Sequence, residues 1–135
     1  MYRPLLTILA FALASPTLAQ SYSARNDLTV APLADGAFEV IEAQGAGARG
    51  LWCAAGDYAR DQLNSPSSAR LYVVVPRSDS QTAAGRKAVT FALTPQGTVP
   101  RPTVFVGFST RNAGSTLSVA HAVTFCAGER APGGL

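Results

Sequence analysis

Little in this sequence is equipped for acid–base or metal chemistry: it has one histidine, two cysteines and one lysine. His121 would need a second ligand or a partner to act as a metal ligand or general base, and no other His or Cys stands at ligand spacing from it. It reads as a surface or packed histidine. Charge is also sparse, at 14% of residues with a formal balance of +3, and the arginines are scattered rather than clustered. A nucleic-acid partner is therefore not expected. Neither Gly-x-Ser-x-Gly nor Ser-x-x-Lys occurs, so the common serine nucleophile patterns are missing. No catalytic residue, cofactor-binding residue or metal ligand can be assigned on these grounds, and no cofactor is expected.

The one long apolar run is Leu5 to Leu13, preceded by Arg3 and followed by Pro16 and the small-residue tripeptide Thr17-Leu18-Ala19. That order is the order of a secretory leader, so residues 1–19 are expected to be a signal peptide cleaved after Ala19. The run falls short of the roughly twenty residues a membrane-spanning helix needs. No stable span is expected after processing, and the product should be periplasmic or secreted. Loss of Arg3 leaves ten Lys or Arg against eight Asp or Glu, a balance of +2. In an oxidising compartment the two cysteines pair most simply as one disulfide, Cys53–Cys126, the only pairing the chain allows. Closing so long a loop is worth on the order of 4 kcal/mol in the chain-entropy model.

Gln20 to Asn26 is small and polar, without a period, and is expected to be a flexible N-terminus. Residues 27–127 should form a single domain. Asp27 to Leu33 suggests a short edge strand limited by Pro32. After the turn dipeptide Asp35-Gly36, residues 38–43 alternate as a strand, with Glu39 and Glu42 on opposite faces because their offset is odd. A helix is predicted over Leu51–Leu63, where Trp52, Ala55, Gly56, Ala59 and Leu63 form one stripe and Asp57, Arg60 and Asp61 lie on the other side. Asp57 and Asp61 share a face but, with Arg60 beside them, read as solvated surface. Arg70–Val75 is the strongest strand, ended by Pro76, and Ser78–Arg86 reads as a loop. Lys87–Thr94 and Thr103–Phe108 are two further strands. Leu117–Cys126 fits strand alternation and a helix face equally well; helix is preferred because Ser118 and Gly128 supply both caps. Residues 128–135 should be a flexible tail. The expected fold class is α+β, a small antiparallel sheet covered on one face by one or two helices.

Two local motifs invite sharper readings. Gly45 to Gly50 spells Gly-x-Gly-x-x-Gly between a strand and a helix. The βαβ unit and the acidic residue that should follow are missing, with Arg70 and Val73 about where that residue would stand, so the match is read as accidental. Trp52-Cys53 at a helix start resembles the Trp-Cys-x-x-Cys site of thioredoxin-like proteins, and Arg101-Pro102-Thr103-Val104-Phe105 resembles their Pro-Thr-hydrophobic strand. The resemblance implies a thiol at a helix N-terminus, where its pKa would fall. Gly56 stands where the second cysteine belongs, which removes a dithiol mechanism.

Over a longer span, Trp52-Cys53-Ala54-Ala55-Gly56-Asp57-Tyr58-Ala59, the Arg86–Phe91 strand and Ser118 to Cys126 resemble a group of small exported alphaproteobacterial proteins without an assigned activity. The resemblance implies export and a shared fold, and no mechanism. The expectation is a non-catalytic, disulfide-stapled binding or inhibitor module, with a thiol-dependent protein built on Cys53 as the alternative. No partner can be named from the sequence; another exported or envelope protein is the class it suggests. A binding role would favour an exposed aromatic patch including Tyr58 or Tyr72.

Overall fold

The computed structural model of the protein describes residues 20–102 and 109–128. The leader expected at 1–19, the strand expected at 103–108 and the end of the tail lie outside the described residues.

Seven strands form one sheet: β1 (Tyr22–Ser23), β2 (Thr29–Pro32), β3 (Phe38–Ile41), β4 (Arg70–Asp79), β5 (Lys87–Ala92), β6 (Arg101–Pro102) and β7 (Ser115–Ser118). Their spatial order is β1-β2-β3-β5-β4-β7-β6. The first six in that order pair antiparallel, and β6 adds to β7 in parallel. Helix α1 spans Ala48–Asp61, and helix α2 spans Val119–Thr124 and runs on into a 3-10 turn over Phe125–Gly128. This is a small α+β domain, as the alternation of strand residues and the helical stripe predict.

The core follows from period-two alternation on one sheet face. Phe38 pairs with Phe91 and Val40 with Val89, while Val30, Leu71, Val73 and Leu117 extend the same apolar layer across neighbouring strands. Trp52 of α1 closes on this face, its ring 5.1 Å from that of Phe91 and wholly buried. Every residue from Gly50 to Ala59 is buried, because α2 packs on α1 where the sheet does not. The small stripe explains the close approach. A Cβ on Gly56 would stand 2.9 Å from the Cβ of Ala122. Leu63, expected as an anchor of the stripe, is 38% exposed, since α1 ends at Asp61.

Several boundaries differ from expectation, each for a local reason. Residues 20–26 are not a featureless arm: Tyr22–Ser23 pairs with Thr29–Val30, and Ala24 is buried. The segment expected at 27–33 is consequently not an edge strand. Helix α1 starts at Ala48, three residues before Leu51, because Gly47 already adopts the extended cap conformation. Strand β4 does not stop at Pro76 but continues to Asp79 across two irregularities in its register with β5. Bulges are where a sheet tolerates the missing proline N–H. The ambiguous stretch at 117–126 resolves into both alternatives. It is strand up to Ser118, whose hydroxyl then accepts from the His121 N–H at 3.1 Å and starts the helix.

One topological feature positions everything that follows. β3 and β4 are each antiparallel to β5, which lies between them, so they run parallel to each other with α1 as the crossover. That is a split βαβ arrangement; with β5 between them, β3 and β4 do not form the adjacent parallel pair of a dinucleotide-binding unit.

Candidate functional site

The two cysteines are joined: Cys53–Cys126 is a disulfide with a Cα–Cα separation of 4.9 Å, and no free cysteine is present. Cys53 lies in the second turn of α1 and is fully buried. The helix-start position that the thioredoxin-like comparison requires is therefore not where Cys53 stands. With the sulfur bonded and covered, neither cause of thiol activation operates.

Asp57 and Asp61 do share a face, but Asp57 is not solvated surface. It is 0% exposed, and its carboxylate accepts from the Tyr22 hydroxyl at 2.9 Å, the Arg25 N–H at 2.9 Å and Arg60 Nη2 at 3.1 Å. Burial, followed by the hydrogen bond to Asp57 and its charge, raises the Tyr22 hydroxyl pKa above its ordinary value of 10. Asp61 also accepts from Tyr22, at 3.3 Å, and the Arg60 hydrogen bond holds its carboxyl below the usual value. The cluster latches the N-terminal segment to α1. It is a structural device.

Glu39 is a second buried carboxylate, 1% exposed on the outer face of β3. The hydroxyls of Ser80 and Thr82 donate to it, as do the backbone N–H groups of Gln81 and Thr82, both at 3.0 Å. Burial works to raise its pKa, and those four donors outweigh burial, leaving it lowered. They belong to the segment after β4, read from sequence as a plain loop. Glu42, on the opposite phase, receives Arg77 Nε on both carboxylate oxygens, at 2.9 and 2.7 Å. The two glutamates do not converge. His121 is exposed and its ring lies tilted against that of Phe125, with centroids 5.4 Å apart. Among the described residues no group of three His, Cys, Asp or Glu could hold a metal ion.

The aromatic patch foreseen on Tyr58 and Tyr72 does not form. Tyr58 is 7% exposed and packs between Tyr22 and Phe38, and Tyr72 is half-buried on the outer sheet face.

A cleft of about 320 Å³ opens instead at the C-terminal ends of β3 and β4, beside the first turn of α1. Ala46, Ala48 and Leu51 supply an apolar wall, and the Arg77–Glu42 ion pair forms another. The third side comes from residues 109–111, held nearby because the Gly114 N–H donates to the Val73 carbonyl of β4 at 2.8 Å. Gly114 has φ +89°, and a Cβ there would overlap the Val99 carbonyl. The α1 cap residue, Gly47, offers no side-chain acceptor, and the first turn carries no acidic residue. Thr110 is only 6% exposed and lines the cleft. Arg111 is exposed at the mouth, and its guanidinium has no partner among the described residues.

Sequence reasoning passed over this site because its parts lie at 42, 46–51, 77 and 109–111. The signal it did contain was the Gly45–Gly50 run between strand and helix, whose position beside the cleft is now explained by the split crossover. Comparison with protein-family models, curated proteins and solved structures finds no match.

Proposed function

We propose that this is an exported, disulfide-stapled binding module without a catalytic step of its own, and that the cleft beside the start of α1 is where it binds. The cleft carries the proposal: a concave site with an apolar wall and a few convergent polar groups is the ordinary form of a small-ligand site, and about 320 Å³ lies at the low end of the usual range. The non-catalytic part is supported by how the reactive side chains are committed. Cys53 is in a disulfide, Glu39 and Asp57 are saturated with structural donors, and His121 lies outside the cleft lining. Export is supported by the disulfide, which persists in oxidising compartments, and by the leader pattern at 1–19. No helix among the described residues is long and apolar enough to cross a membrane.

The test is a backbone-amide NMR titration of the purified, oxidised protein with a library of small polar and apolar fragments. The proposal expects shift changes concentrated at 42, 46–51, 77 and 109–111. Shifts elsewhere, or none at millimolar fragment, would contradict it.

A further inference from the structure

Resting on removal of the leader after Ala19, we infer that Gln20 is a modification site, where the new N-terminus closes on its own side chain as a pyroglutamyl lactam. Cleavage turns the Gln20 backbone nitrogen into a free α-amine. That amine lies within reach of the side-chain Cδ, and joining the two closes a five-membered ring. The nitrogen bonds to Cδ, the side-chain nitrogen departs as ammonia, and the proton it takes with it comes from the amine. One C–N bond replaces another, so no oxidant, reductant or metal enters. An α-amine titrates at about 8, so its neutral, nucleophilic form is present near neutral pH. Holding both reactants on one residue makes the step unimolecular.

The fold leaves both reacting groups free to meet. Pairing in β1 begins at Tyr22, opposite Val30, with Ser23 opposite Thr29. Carried two residues further, that register would set Gln20 opposite Pro32, which has no N–H to offer. Gln20 and Ser21 accordingly stand outside the sheet and exposed, and Gln20 makes no hydrogen bond to a described residue. From Tyr22 onward the chain is held, since its hydroxyl donates to Asp57 at 2.9 Å and Ala24 is buried. A short open stub therefore precedes the latch, and such stubs are where proteolysis starts. Removal of Gln20 and Ser21 would bring an aminopeptidase to Tyr22 itself. A lactam presents no α-amine, so ring closure protects the latch and also removes the terminal charge.

The test expresses the full chain for export, purifies the product fresh and incubates it at neutral pH. At each time point free amines are blocked by reductive methylation before trypsin releases residues 20–25, so ring closure during digestion is not counted. Fresh protein should yield this peptide with a methylated α-amine. On incubation that form should give way to one that is unmethylated and lighter by one ammonia. Gln20→Asn keeps a carboxamide but would need a four-membered ring, so its amine should stay open to methylation throughout. An aminopeptidase should remove Gln20 and Ser21 from fresh protein and leave the aged protein whole. A chain that starts at Gln20 and keeps its amine on incubation would overturn the modification while leaving the leader reading intact. Aged protein trimmed as fast as the Gln20→Asn variant would overturn the protection of the latch. A product that retains residues 1–19 would remove the leader reading and this site with it.

Discussion

Gly56 of α1 faces Ala122 of α2 at a distance that admits no side chain: a Cβ on Gly56 would sit 2.9 Å from the Ala122 Cβ and 3.1 Å from the Val123 backbone nitrogen. The close contact is made one turn from Cys53, whose disulfide fixes the segment immediately after α2. Helix pair and staple thus reinforce the same join. In a solvent-facing helix, Gly→Ala would add about 1 kcal/mol of stability. Here overpacking against backbone should cost about 1–3 kcal/mol. Gly56→Ala is therefore expected to lower the urea midpoint, and a raised midpoint would show that the helices are not in contact.

Glu39 ties the segment after β4 to the outer face of the sheet. A carboxyl whose folded pKa lies below its ordinary 4.5 adds stability that is present above that value and lost as pH falls toward the folded pKa. Unfolding midpoints measured below pH 5 should drop steeply in the wild type and less so in Glu39→Gln. At pH 7 the variant should be weaker by about 1–3 kcal/mol, since its amide turns two hydrogens toward groups that are themselves donors. Parallel acid profiles for the two proteins would remove Glu39 from this role.

Tyr22 closes the other latch. Its pKa is raised, so its contribution is fully present below the ordinary value of 10 and is lost as pH rises beyond it, when the unfolded chain ionises first. Tyr22→Phe should cost about 1 kcal/mol at neutral pH through the lost bond to Asp57. It should also lessen the decline in stability above pH 10. The part owed to Tyr58, whose pKa burial also raises, should persist. A Tyr22→Phe protein of unchanged stability would mean that the N-terminal strand is not held through Asp57.

The elements legible from sequence are those whose signal is local. Phe38–Ile41 and Lys87–Ala92 alternate large β-formers, the small stripe of α1 repeats at helical spacing, and two cysteines admit one pairing. What escaped prediction depends on distant partners. Nothing near Glu39 indicates that Ser80 and Thr82, some forty residues on, will bury it, and nothing near Asp57 indicates that Tyr22 will. Pro76 reads as a stop because the bulges that carry it belong to the pairing with β5. The cleft was hidden for the same reason, as the chain assembles it from three separate stretches.

The disulfide offers a further stability prediction. Replacing Cys53 and Cys126 together by Ala releases a loop of 73 residues and should lower stability by about 4 kcal/mol in the chain-entropy model. Urea denaturation of the double variant beside the oxidised wild type measures it. A loss under about 1 kcal/mol would mean that the join of α1 to the C-terminal segment is held by packing alone.

The most direct test of an exported, stapled domain is the intact mass of the protein recovered from the periplasm of a bacterial host expressing the full chain, taken with and without reduction before alkylation. The expected mass begins at Gln20 and is two hydrogens light, with Cys53 and Cys126 alkylated only after reduction. A chain that retains residues 1–19, or two cysteines alkylated without reduction, would contradict the account.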